Sequence, residues 1–110
     1  PKSTVTQFMQ AADKQDVNEM KKVLHKDARQ FYKQNGVVKH LDTELYLKLL
    51  SGGKLGGSPR RIRWNSITVD ENRALADVSF IGEKMAFDNY ILLMKEATKW
   101  IVVGISVDMH

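Results

Sequence analysis

The sequence predicts an α+β domain, helices first and an antiparallel sheet afterwards, and three observations carry that prediction. Apolar residues recur at helical spacing as far as about residue 50. From Arg60 onward the period changes to two. The strand-like stretches are joined by connections as short as "DEN", "GEK" and "EAT", which only antiparallel neighbours can use. Helices followed by a meander form the α+β layout, with the helices on one face of a strongly bent sheet.

Val5, Phe8, Met9 and Ala12 set the first helix, and Thr4 with Gln7 three residues on fits a capping box. Asp16 opens the second helix, with Glu19 three residues later and Val17, Met20, Val23 and Leu24 on one face. Ala28, Gln30 and Tyr32 then alternate with Arg29, Phe31 and Lys33, a short strand that ends at the Asn35-Gly36 turn. A third helix is expected from about Asp42 to Leu50, with Leu45, Tyr46, Leu49 and Leu50 as its apolar face and Gly52-Gly53 as its stop. "SGGKLGGSP" follows as a mobile connection. It joins a helix to a strand, the wrong order for a phosphate-binding loop or a dinucleotide fingerprint. Four strands complete the chain: "RRIRWNSITV", "ALADVSFI", "MAFDNYILLMK" and "WIVVGISVDM".

The last two strands are apolar on both faces. Ile101, Val103, Ile105 and Val107 form one side of the final strand, and Trp100 and Val102 begin the other. In the strand before it, Met85, Phe87, Ile91 and Leu93 oppose Tyr90, Leu92 and Met94. A sheet with one wet face alternates apolar and polar. Three short helices cover one face only, so a second copy of the chain is the expected cover of the other.

Composition narrows the function classes. With 110 residues, 43% of them apolar and 27% charged, the chain has the make-up of one globular domain with a modest core. A dispersed net charge of +4 draws anionic partners only weakly. The absence of cysteine removes disulfides, thiolate catalysis and cysteine-held zinc together. No apolar run approaches membrane-spanning length, and "PKSTVTQFMQ" lacks a signal-peptide pattern, so a cytoplasmic location is the default expectation. No motif implies a cofactor.

Several residues together carry a resemblance: Asp16-Val17, His25 with Asp27-Ala28, Phe31, the Asp88-x-Tyr90 pair, and Lys95 followed by Lys99-Trp100-Ile101-Val102. In order and spacing they resemble the nuclear-transport-factor-2-like superfamily, nearest to its small bacterial SnoaL-like and lumazine-binding-type members. The resemblance implies a cone-shaped, cystatin-like roll whose bent sheet wraps a helix and leaves an internal pocket, and homodimers joined sheet to sheet. It does not imply one activity, because that fold hosts isomerases, cyclases, dehydratases, adaptors and binding modules. The isomerase pattern wants a tyrosine in the first helix and an acid after the second. Phe8 and Tyr32 stand at or near those positions, and only Asp88 or Tyr90 matches the acid of the strand.

The candidate site is therefore an aromatic-lined cavity. Phe8, Tyr32, Tyr46, Trp64 and Tyr90 are its expected walls, and Asp88 its candidate acid, base or ligand anchor. Asp88 and Tyr90 are expected to point inward, and Asn89 outward with Phe87, Ile91 and Leu93 against the second copy. His25-Lys26-Asp27 and His40-Leu41-Asp42 look like ligand pairs, but both acids sit at helix boundaries and no metal is expected. Arg60, Arg61 and Arg63 beside Trp64 resemble a nucleic-acid patch, yet alternation separates Arg61 and Arg63 from the ring, so nucleic acid is not the expected partner. The expected function is binding of a small hydrophobic or aromatic molecule. The alternatives are a lyase, cyclase or isomerase using Asp88, and a protein-interaction adaptor.

Overall fold

The computed structural model describes residues 1–110. In chain order it contains α1 (Lys2–Asp13), α2 (Val17–Val23), β1 (Leu24–Gln34), β2 (Val37–Asp42), α3 (Thr43–Ser51), β3 (Arg61–Asp70), β4 (Arg73–Ile81), β5 (Ala86–Glu96) and β6 (Lys99–Met109). The strands form one open sheet in the order β2-β1-β6-β5-β4-β3, curved around the three helices. This is the expected α+β architecture.

Local chemistry explains the helix starts. Asp16 caps α2 by accepting the Glu19 N–H at 3.1 Å, and Asp42 caps α3 by accepting the Leu45 N–H at 2.8 Å. The capping box expected at Thr4 does not form. The helix is already under way at Lys2, so Thr4 is buried on its inner side and its hydroxyl donates to the Trp100 carbonyl at 3.4 Å. On α3 the apolar face is rotated from the expected one. Thr43, Tyr46 and Leu50 are buried and Leu45 is exposed.

The sheet has more strands than expected, and it is mixed. Asn35 and Gly36 both adopt positive φ, as a two-residue hairpin turn requires, and return the chain into β2 beside β1. Residues 37–40 are exposed on both faces, so they lack the alternation that marks a half-buried strand. β1 then runs parallel to β6, with Gln30 opposite Ile105, which corrects the expectation of a purely antiparallel sheet. β2, α3 and the meander β3–β5 lie between these two strands in sequence, a connection long enough for a parallel return.

Two extra residues decide which side chains face the helices. Between β5 and β6, Leu93 pairs with Val102 and Leu92 with Gly104, so Val103 has no partner. Between β3 and β4, Trp64 pairs with Val78 and Ser66 with Asp77, so Asn65 is the extra one. The inner row of β6 is consequently Val102, Ile105 and Val107, not the unbroken 101-103-105-107 series. Val78, Phe80, Ile91, Leu93 and Val102 are sealed against Val5, Phe8, Met9, Met20 and Leu50 of the helices. Each large side chain so buried stabilises the fold by about 1.5–3 kcal/mol.

The glycine-rich connection is docked rather than free. The Gly57 N–H donates to the Ala12 carbonyl at 3.1 Å and the Gln15 side chain donates to the Leu55 carbonyl at 2.9 Å. Gly56 has φ +71°, and a Cβ there would lie 1.9 Å from the Ala12 oxygen. Only glycine fits that approach to the end of α1.

Candidate functional site

The curved sheet, α1 and α3 leave a cavity of about 600 Å³ at the end where the connections 52–60 and 82–85 meet. Phe80, Phe87 and Val107 line it from the sheet, Phe8 from α1 and Tyr46 from α3. The Phe8 and Tyr46 rings stack with centroids 6.3 Å apart, and Phe8 lies 6.4 Å from Phe80. These contacts follow from helical and strand periodicity, which points one aromatic from each element into the same space.

Arg60 enters the cavity from the docked connection. Its Nε–H donates to Asp13 Oδ1 at 2.6 Å and its backbone N–H donates to Asp13 Oδ2 at 3.0 Å, which closes the end of α1 onto the start of β3. The guanidinium carbon lies 5.1 Å from the Phe80 ring centre and 5.0 Å from that of Phe87. Burial pushes the Tyr46 hydroxyl up to about 12, a rise that Asp13 adds to and Arg60 opposes. That hydroxyl therefore stays protonated at any ordinary pH.

Of the residues expected to line the cavity, Phe8 and Tyr46 do. Trp64 shares the inner face of the sheet but packs beneath the start of α1, with the Lys2 ammonium 5.2 Å from its ring centre. Tyr32 is half-buried near the hairpin end of β1, opposite Lys39, away from the cavity. The orientation expected for β5 is reversed. Asn89 is buried, 4% exposed, and lines the cavity, whereas Asp88 and Tyr90 face outward and Tyr90 is 58% exposed. Phe87, Ile91 and Leu93 share the parity of Asn89, and burying them against the helices outweighs any gain from an inward Tyr90.

On the outer face Asp88 joins a polar network in a shallow depression of about 290 Å³. The Ser79 hydroxyl donates to Asp88 Oδ1 at 2.6 Å, and His110 Nε2 lies 2.6 Å from Oδ2. Arg63 and Asn65 donate to the Ser79 oxygen at 3.3 and 3.4 Å. The bond from Ser79, then that from His110, holds the Asp88 carboxyl below its usual value, and the same contact raises His110. Serine, aspartate and histidine thus meet, but the carboxylate stands in the middle and accepts from both. Nothing here activates the serine as a nucleophile. Elsewhere His25 Nδ1 accepts the Asp27 N–H at 3.0 Å, and the His40 ring lies 5.6 Å from that of Phe31.

Among the cavity residues that the sequence did not single out are Asn89, Phe80, Phe87, Val107 and Arg60, the last held by Asp13. The inward side of Asn89 was not legible, since the two rows of β5 are nearly equally apolar. The Asp13–Arg60 pair was not, because it spans 47 positions and depends on how the connection docks.

No helix is long and apolar enough to cross a membrane. Comparison with curated proteins finds no match. The architecture is shared with a nuclear-transport-factor-2-like protein of unknown function from Silicibacter pomeroyi DSS-3, at 13% identity and TM-score 0.86 over 99% of this chain and 92% of that one. A second such protein, from Methylobacillus flagellatus KT, is 24% identical with TM-score 0.78 over 99% and 88% of the two chains. A cystatin-like fold protein from Burkholderia xenovorans LB400 is 12% identical with TM-score 0.75 over 98% and 87%. These likenesses show a shared fold; the family model described as "Putative lumazine-binding" matches residues 2–105, and the chain belongs to that family.

Proposed function

We propose that the protein is a binding module for a small, mostly apolar molecule held in the inner cavity. The observation that carries this is the cavity itself: about 600 Å³, walled by Phe8, Tyr46, Phe80 and Phe87, and of the size that drug-sized ligands occupy. Family membership supports it, and the family's description makes lumazine the first ligand to titrate. An enzyme using Asp88 is the weaker reading, because that carboxylate lies on the opposite face and is engaged by Ser79 and His110. Calorimetric titration of lumazine tests the proposal, with Val107→Trp as the variant that fills the cavity. The expected result is one saturable site per chain, lost in a variant that still unfolds cooperatively. Binding that survives Val107→Trp would overturn it.

We also propose that the outer face is covered by a second copy of the chain. Leu75, Tyr90, Leu92, Met94 and Phe31 lie exposed on that face, more apolar surface than a solvated sheet carries. Light scattering is expected to give twice the 12.6 kDa chain mass. A single-chain mass at micromolar concentration would overturn this.

A further inference from the structure

Two polar groups in the cavity have bonding capacity that the protein does not use. The Asn89 side-chain N–H groups donate to the carbonyls of Phe87, at 3.0 Å, and Val78, at 3.5 Å. Turning the amide over would set its oxygen against both carbonyls, so the orientation is fixed and Oδ1 is the free end. The Tyr46 hydroxyl has no partner among the protein's hydrogen bonds. No side-chain nitrogen or oxygen sealed inside the protein lacks a partner, so neither atom is sealed, and both residues line the cavity.

The charges around them cancel. Asp13 neutralises Arg60, and the rim carries Glu83 beside Lys84. An anion entering here would meet an arginine already matched, and a cation would meet no unmatched carboxylate.

Resting on the cavity-binding reading above, we propose that the cavity selects an uncharged aromatic molecule that donates an N–H or O–H to Asn89 Oδ1 and seats its ring among Phe8, Phe80 and Phe87. The amide decides between ligands of equal shape. One that cannot donate leaves a desolvated acceptor unpaired, which is the strongest form of discrimination a small site can exert.

Three probes of one shape test this by fluorescence titration: 2-naphthol, 2-methoxynaphthalene and 2-naphthoate. The wild-type protein is expected to bind 2-naphthol about tenfold more tightly than either of the others, the difference of one well-made hydrogen bond. In Asn89→Leu the two neutral probes are expected to bind alike. Equal binding of all three by the wild type would overturn the proposal while leaving a ligand cavity in place, and so would 2-naphthoate binding tightest. A preference that persists in Asn89→Leu would remove the amide from its role. If none of the three binds, the cavity-binding reading falls as well. The wild-type comparison decides the matter even if the variant fails to fold.

Discussion

The inner row of β5, Phe87, Asn89, Ile91 and Leu93, and its outer row, Asp88, Tyr90, Leu92 and Met94, have nearly the same make-up: three apolar or aromatic side chains and one polar one. Their polar members differ in kind. The neutral amide is inside, where its N–H groups satisfy two backbone carbonyls at the wall of the cavity. The carboxylate is outside, where solvent, Ser79 and His110 share its charge. Moving an amide out of water costs far less than moving a carboxylate, so when two rows are equally apolar the charge goes to the wet side.

The largest way to break that comparison is to truncate one residue from each face. Phe80, on the inner face of β4, is 2% exposed, and Phe80→Ala is expected to lower unfolding stability by about 3–5 kcal/mol. Leu92→Ala on the outer row is expected to change it by less than about 0.5 kcal/mol in dilute protein, while weakening the proposed dimer. Urea unfolding and light scattering read the two effects separately. Equal costs in dilute protein would mean that the outer row belongs to the core of one chain.

Two ion pairs extend the contrast at constant geometry. Asp13–Arg60 and Asp88–His110 both show a 2.6 Å separation, but their side chains are 10% and 13% exposed in the first pair and 44% and 61% in the second. Asp13→Asn leaves a nearly buried guanidinium without its counter-charge and is expected to cost about 2–4 kcal/mol. Asp88→Asn is expected to leave the denaturant midpoint almost unmoved, as for most solvent-exposed pairs.

The docked connection gives a third, smaller test. Gly36, at the open hairpin, and Gly56, against α1, have nearly the same φ, +77° and +71°, yet a Cβ at Gly36 meets nothing within 4 Å. Gly36→Ala is expected to cost about 1 kcal/mol for its left-handed backbone alone. Gly56→Ala must also push the connection off Ala12, and is expected to cost about 2 kcal/mol. It should weaken ligand binding too, since Gly56 lines the cavity. Equal costs would show that the connection is not seated on α1.

What the sequence disclosed follows the range of the interactions. Asp16 and Asp42 were legible as caps because a cap and the amide it satisfies lie within one turn. The Asn35-Gly36 turn was legible for the same reason, but β2 was not, because an exposed hairpin edge has no buried face to impose alternation. On β5 the membership of each row was legible, and its side was not. Parity sorts residues into two sets, and packing against α1 and α3 decides which set is inside. Val103 and Asn65 add a further uncertainty, since an unpaired residue shifts parity without any marker in the local pattern.

The smallest expected effect concerns the outer pair, and it is a shift of titration rather than of stability. Asp88 is held below its ordinary value of 3.8 by the Ser79 hydroxyl first and His110 second, and His110 is held above its ordinary value of 6.5 by Asp88. A carboxyl with a lowered value favours the fold above its ordinary range, and that contribution is lost as pH falls through the lowered value. An imidazole with a raised value favours the fold below 6.5, and its contribution is lost as pH rises through the raised value. Both charges are therefore present together between the two, a window that includes the weakly acidic range and ends on the alkaline side of 6.5. NMR titration of the His110 ring is expected to show a midpoint above 6.5, returning toward it in Asp88→Asn and moving little in Ser79→Ala, because Ser79 touches the other carboxylate oxygen. A second copy seated on this face would desolvate the pair, so the His110 midpoint should also depend on protein concentration across the dimer transition. A midpoint that ignores both Asp88→Asn and dilution would separate the two groups in solution and leave the outer face without the polar centre described above.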